Sequence, residues 1–228
     1  MERNINEELR RLHVYSIHEE LLPFIGTHYT DYRILLVGES HYLPDPANNP
    51  GYKPKVESDF FDWYKKDYVD IMTETNPNEK DYFRTSNLVE CYMRDRRINK
   101  GWTIWYNTGK ILAEVLTSIN PNVDAFSAYQ YVAFINYFQR PEINNGGSIS
   151  ASEEDKDWAK NNLNDVRKIL EPKETIFLSK KAYNCYDPKD GGNISVVSHP
   201  TCPWWNRDNG NGKKDREKFK EIIQKIIK

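Results

Sequence analysis

Three short polar sites in this chain each close an apolar run. Arg33-Ile34-Leu35-Leu36-Val37-Gly38 runs into Glu39, Ser40, His41 and Tyr42. Tyr131-Val132-Ala133-Phe134-Ile135 arrives at Asn136, and Ile194-Ser195-Val196-Val197 leads past Ser198 to His199. An acid, a hydroxyl, two imidazoles, a phenol and a carboxamide together offer proton transfer, nucleophilic attack and directed hydrogen bonding. Taken singly, each is also what an ordinary strand end with a polar turn would show.

What would bring them together is a parallel sheet. Continuous apolar runs read as strands buried on both faces. Thr175-Ile176-Phe177-Leu178 is a further run of the same kind. Between the runs lie helical patterns: residues 5–24, 57–72, 103–119, 152–170, a short one from Lys180, and 213–228. Ser152-Glu153-Glu154-Asp155 opens its helix with an acidic first turn that suits the helix dipole. Residues 73–101 are mixed and polar and support no assignment. Alternating helices and strands predict an α/β fold with a central four-stranded parallel sheet between helices. Ligands of such sheets gather in the crevice beyond the carboxyl ends of the strands, which is where all three polar sites fall. Residues 43–56, with Pro44, Pro46, Pro50, Gly51 and Pro54, form a long loop after the first of them, and long loops in compact domains are often functional.

Bulk properties narrow the classes. The 228 residues suit one domain covering 1–228. Net charge is −2 and pI about 6.2, so no global basic footprint for nucleic acid exists. Two local basic clusters do occur, Arg94, Arg96, Arg97 and Lys100, then Lys213, Lys214 and Arg216. Cys91, Cys185 and Cys202 lack metal-site spacing, so neither a metal nor another cofactor is expected. No apolar run reaches membrane-spanning length and no signal peptide is visible. The expectation is a cytoplasmic protein with no membrane partner, a monomer by default.

In their order and spacing these segments resemble the uracil-DNA glycosylase superfamily, in particular its branch with a Gly-Glu-Ala-Pro-Gly first motif. Gly38-Glu39-Ser40-His41-Tyr42 occupies the place of that motif. Phe134-Ile135-Asn136-Tyr137-Phe138-Gln139-Arg140-Pro141 is similar to the second-strand signature, Pro172-Lys173 through Ala182 to the third-strand segment, and His199-Pro200-Thr201 to the His-Pro-Ser motif. The resemblance spans residues 33–205 and implies a three-layer α/β/α sandwich that excises a damaged base flipped out of DNA. Single-stranded or damaged duplex DNA would be the partner. Carried over, Asn136 would read the base edge, His199 would donate to the departing base, and Glu39, Ser40 and His41 would hold the attacking water. Tyr42 would close the pocket, Tyr52 or Phe60 would stack on the base, and Pro203, Trp204 or Trp205 would wedge the duplex.

The chain departs from the pattern where the chemistry is decided. Ser40 stands where relatives carry Asp or Ala, His41 replaces Pro, and Tyr42 replaces the second Gly. The four cluster-binding cysteines of that branch have no counterpart. Two alternatives stay open. One is a non-catalytic module of the same fold that binds nucleic acid or a nucleobase. The other is a serine esterase with Ser40 as nucleophile, Asn136 as oxyanion donor and His199 as base, although Val196 stands where that family has Asp.

Overall fold

Ile34, Leu35, Leu36 and Val37 are each at most 1% exposed, the burial that a strand covered on both faces requires. They belong to a computed structural model that describes residues 4–43, 46–48, 50–53, 56–65, 84–143, 148–188, 193–208, 210 and 212–228. In chain order the elements begin with α1 (Ile5–Arg10), α2 (His13–Ile17), β1 (Phe24–Ile25), α3 (Tyr29–Tyr32) and β2 (Ile34–Gly38). There follow α4 (Thr85–Asp95), α5 (Thr103–Leu116), β3 (Val132–Asn136), α6 (Glu153–Leu170) and β4 (Glu174–Phe177). The chain ends with α7 (Lys180–Tyr186), β5 (Ile194–Val196), α8 (Pro203–Asn206) and α9 (Asp215–Ile227). Among the described residues no helix is long and apolar enough to cross a membrane.

These elements form two compact units. One comprises Met1–Pro23, Glu39–Leu88 and Asn136–Glu171, the other Phe24–Gly38, Val89–Ile135 and Pro172–Lys228. The second unit holds a sheet in the order β1-β3-β2-β4-β5. β2 runs parallel to β4, with Ile34 opposite Glu174 and Val37 opposite Phe177, and β4 runs parallel to β5. The fold class is α/β as the sequence predicts, but the sheet has five strands instead of four. The addition is β1, antiparallel to β3 with Phe24 opposite Phe134. Two residues are too few to show a period, and Pro23 and Gly26 beside them read only as a helix stop.

On α5 the buried stripe is Trp105, Thr108, Gly109, Ile111, Leu112, Val115 and Leu116. α9 packs on α5 through a face that buries Phe219 and Ile223. Gly109 sits mid-helix because the chain at Ala125 crosses it closely. A Cβ there would lie 2.0 Å from the Ala125 carbonyl oxygen. Tyr92 of α4, fully buried, packs against Phe126 at 5.0 Å and Tyr129 at 5.5 Å.

In the first unit the expected helix over 5–24 is broken into α1, α2 and a 3-10 turn at Glu19–Leu21. Two histidines explain the break. His13 stacks on Trp158 at 4.7 Å and bonds the Tyr64 carbonyl at 2.8 Å. His18 stacks on Trp63 at 3.9 Å and bonds its carbonyl at 2.8 Å. The expected helix over 57–72 is a 3-10 turn, Glu57–Phe60, within the described residues, and positions 66–72 lie outside them. α6 carries the predicted acidic start as a capping box between Ser152 and Asp155. Asp155 also receives Arg140 at 2.9 Å from Nε and 2.9 Å from Nη2, and the Tyr64 hydroxyl at 2.9 Å. Burial opposes its ionisation, but the Arg140 guanidinium, with the Ser152 N–H and the Tyr64 hydroxyl, holds its carboxyl below the usual range.

Gly109→Ala tests the close crossing in the second unit. Helix propensity alone favours Ala by about 1 kcal/mol, yet the substitution is expected to destabilise the protein by about 1–3 kcal/mol through overpacking against Ala125. Urea midpoints at constant m-value measure it, and a stabilised variant would contradict the close approach.

Candidate functional site

Beyond β2 and β3 the two chain exits stay side by side. Phe138 N–H donates to the Glu39 carbonyl at 2.9 Å, Glu142 N–H to the His41 carbonyl at 2.8 Å, and Leu43 N–H to the Glu142 carbonyl at 3.1 Å. Tyr42 and Glu142 form a parallel bridge. Polar residues that the sequence leaves as turns are thus held in ladder geometry, and Asn136 meets His41. The Asn136 Nδ2 lies 3.3 Å from Nδ1 and 3.4 Å from Nε2 of that ring, so it donates to the nitrogen without a proton.

The groups at this meeting point are uncharged at neutral pH. His41 is 3% exposed, and burial pushes its pKa from 6.5 down to about 4 against a weaker pull from Glu20. The Tyr42 phenol is raised, first by burial, with the Ser40 hydroxyl acting against the shift and Glu39 and Glu142 adding to it. Ser40 is buried, and its Oγ makes no hydrogen bond of good geometry among the described residues. Gln139 is fully buried; its Nε2 donates to the Asn136 carbonyl at 2.5 Å, while its Oε1 accepts nothing among the described residues. Buried polar atoms left open in this way cost about 1–3 kcal/mol each and call for an explanation.

Both nearby carboxylates serve the loop that follows. Glu39 Oε1 accepts from the Ser148 hydroxyl and from the Ile149 N–H. Glu142 accepts Ile143 N–H at 2.8 Å and Ser150 N–H at 2.7 Å. Glu142, 4% exposed, is a site residue that sequence reasoning missed. Its only signal is an acid directly after Arg140-Pro141. Tyr52 is half-buried. Phe60, expected as a stacking platform for a base, is 4% exposed, with its ring edge-on to Trp63 at 5.7 Å and the Arg140 guanidinium 5.9 Å away. It is a core residue.

The second unit carries the remaining expected residues. His199 Nδ1 accepts the Thr201 N–H at 3.3 Å and lies 2.7 Å from the Thr201 hydroxyl. An acceptor at Nδ1 puts the proton of the neutral ring on Nε2. Thr201 therefore fixes the tautomer, a role the His-Pro-Thr spelling did not disclose. The loop is pinned by Asn107 Nδ2, which donates to the Pro200 carbonyl at 2.8 Å. Ser198 N–H donates to Asp215 at 2.8 Å. Cys202 is the N-cap of α8 and Pro203 its first residue. Trp205, expected as a wedge, is 2% exposed and packs on Phe219 at 5.7 Å, so it anchors the loop. Trp204 is 52% exposed.

Among the described residues no three His, Cys, Asp or Glu side chains gather as metal ligands. Comparison with protein-family models, with curated proteins and with solved structures found no match.

The depressed His41 pKa has a measurable consequence. Between pH 6.5 and about 4 the unfolded chain protonates this ring and the folded chain does not. The unfolded state binds more protons there, so stability is full above that window and falls as pH drops through it, by up to about 3 kcal/mol. His41→Gln is expected to flatten the slope by one proton, measured by urea unfolding at pH 7.5, 6, 5 and 4.5. An unchanged slope would place the ring in water.

Proposed function

We propose that the chain reads an uncharged nucleobase with Asn136 and hydrolyses the N-glycosidic bond that carries it, in a three-layer α/β/α sandwich of the uracil-DNA glycosylase kind. The reading is carried by one observation: a strand-end carboxamide set against a buried neutral imidazole. Asn136 is half-buried, and its amide presents a donor and an acceptor. A base edge with one carbonyl and one N–H matches that pair. A charged ligand would find no counter-charge among His41, Tyr42 and Gln139.

Base excision needs the nucleotide out of its stack, so the substrate is single-stranded or locally opened DNA. His41, with a pKa of about 4, is too weak a base to deprotonate water at neutral pH. The Ser40 hydroxyl suits orienting a water molecule instead. Such a site fits a reaction in which bond breaking runs ahead of attack and charge on the departing base must be stabilised. For that stabilisation the resemblance assigns His199, and an Nε2–H tautomer has the donor the task requires.

A second reading is binding of a base without cleavage. The engagement of Glu39 with residues 148 and 149 favours it, because that side chain is then committed to the loop. The esterase alternative has less support, since Ser40 Oγ makes no hydrogen bond to an imidazole among the described residues.

Oligonucleotides carrying uracil, hypoxanthine or xanthine, scored for abasic sites, test the proposal. Release of one of these bases is expected, reduced about 100-fold or more by His199→Ala and with altered base preference in Asn136→Ala. A folded protein that binds these strands but releases nothing would establish the binding module. Neither binding nor release would sink both readings.

A further inference from the structure

The second unit contains a cavity of about 290 Å³ lined by Asn107, Lys110, Ile111 and Glu114 of α5, Trp205 and Asn206 of α8, and Arg216, Glu217 and Lys220 of α9. Its volume is near the lower end for small-ligand pockets, about 300 Å³. We propose that this cavity binds a phosphate group, presented either by a nucleic-acid strand or as free phosphate.

The charge balance of the lining carries the proposal. Both carboxylates are already matched. Glu114 takes Lys220 Nζ at 3.0 Å. Glu217 accepts the Lys214 N–H at 3.3 Å and lies 4.0 Å from Lys214 Nζ. Lys110 and Arg216 are the surplus, for neither has a carboxylate partner among the described residues. Lys110 sits over the Tyr106 ring at 5.6 Å, and Arg216 reaches only the Asn206 carboxamide oxygen, at 3.4 Å.

Several other cations of this unit have acidic partners. Arg94 and Arg97 pair with Asp95, and Arg96 pairs with Asp124. Lys213 pairs with Glu221. A guanidinium, an ammonium and carboxamide donors around one hollow make a set suited to a phosphate oxyanion, with the fork of Arg216 able to bond two oxygens at once. Ile111 and Trp205 supply the apolar wall.

The cavity also touches the loop that holds His199. Asn107 lines it and donates to the Pro200 carbonyl, and Trp205 lines it from the helix that continues that loop. An occupant therefore bears on the two side chains that anchor residues 199–206. The proposal does not depend on base excision, and its test needs no substrate turnover.

Calorimetric titration with sodium phosphate, sodium pyrophosphate and an eight-residue thymidine oligonucleotide tests it, alongside the His199 ring signals by NMR. Saturable binding is expected with at least one phosphate source, and those signals should shift with occupancy. The Lys110→Gln, Arg216→Gln double variant, shown to be folded by its melting transition, should bind about tenfold more weakly or worse. Should it fail to fold, Lys110→Gln alone must weaken binding. Lys213→Gln, which alters a cation outside the cavity, should leave affinity unchanged. Tight binding of the oligonucleotide alone identifies a strand as the source, and binding of phosphate or pyrophosphate alone identifies the free anion. No saturation by any of the three, or equal weakening by Lys213→Gln, overturns the proposal.

Discussion

The first unit's site depends on a ladder that outlives its strands. After β2 and β3 end, three backbone hydrogen bonds keep 39–43 beside 138–142. A parallel pairing fixes which residues neighbour each other, much as it does inside a sheet. Asn136 and His41 are 95 residues apart in the chain and meet because of that register. The ladder needs an anchor at its far end, and Arg140 provides it by joining Asp155, the Ser150 carbonyl and the Pro141 carbonyl. Breaking a buried pair of this kind by removing one partner costs about 3–5 kcal/mol. The same loss would release the chain that positions Asn136.

This construction also explains why the site is electrically quiet. The ladder buries His41, and burial removes its charge at neutral pH. Glu142 is buried too, but two backbone amides receive its oxygens, so its charge is satisfied locally. What remains for a ligand is the Asn136 carboxamide, with a hydroxyl and a phenol alongside. Such a set selects by hydrogen-bond pattern, and a site whose polar groups lose their partners with the wrong ligand discriminates strongly.

Sequence periodicity located the longest apolar runs and stripes. β2 and β3 stand where apolar runs place them, and α5, α6 and α9 follow their stripes. α4 escaped notice because Val89 and Tyr92 are its only fully buried apolar residues, too few to stand out among charges. The break between α1 and α2 is set by stacking of His13 and His18 on Trp158 and Trp63, contacts that no local pattern contains. At the site the residues were legible as types, but their states were not. That His41 is neutral, that Thr201 sets the His199 tautomer and that Glu39 is engaged with Ser148 all follow from partners remote from any motif or hidden inside one. Two of the aromatic candidates were misleading for a related reason. Phe60 and Trp205 have the composition of a ligand platform and the burial of a core.

Charge shows the difference between counting and pairing most plainly. A net charge of −2 argues against an extended nucleic-acid surface, and the sequence presents two basic clusters as equals. In the structure they are not equivalent. The cluster at 94–97 is met by Asp95 and Asp124, whose carboxyls sit below their usual pKa range. In the cluster at 213–216, Lys213 and Lys214 have acidic partners and Arg216 faces a cavity instead. Exposed ion pairs contribute little to stability, so the first cluster is best understood as a neutralised surface. A cation that is half-buried, unmatched and joined by Lys110 over a hollow gains most from an anion that enters it. On a protein of near-zero net charge, that local imbalance is where an anionic group would be held.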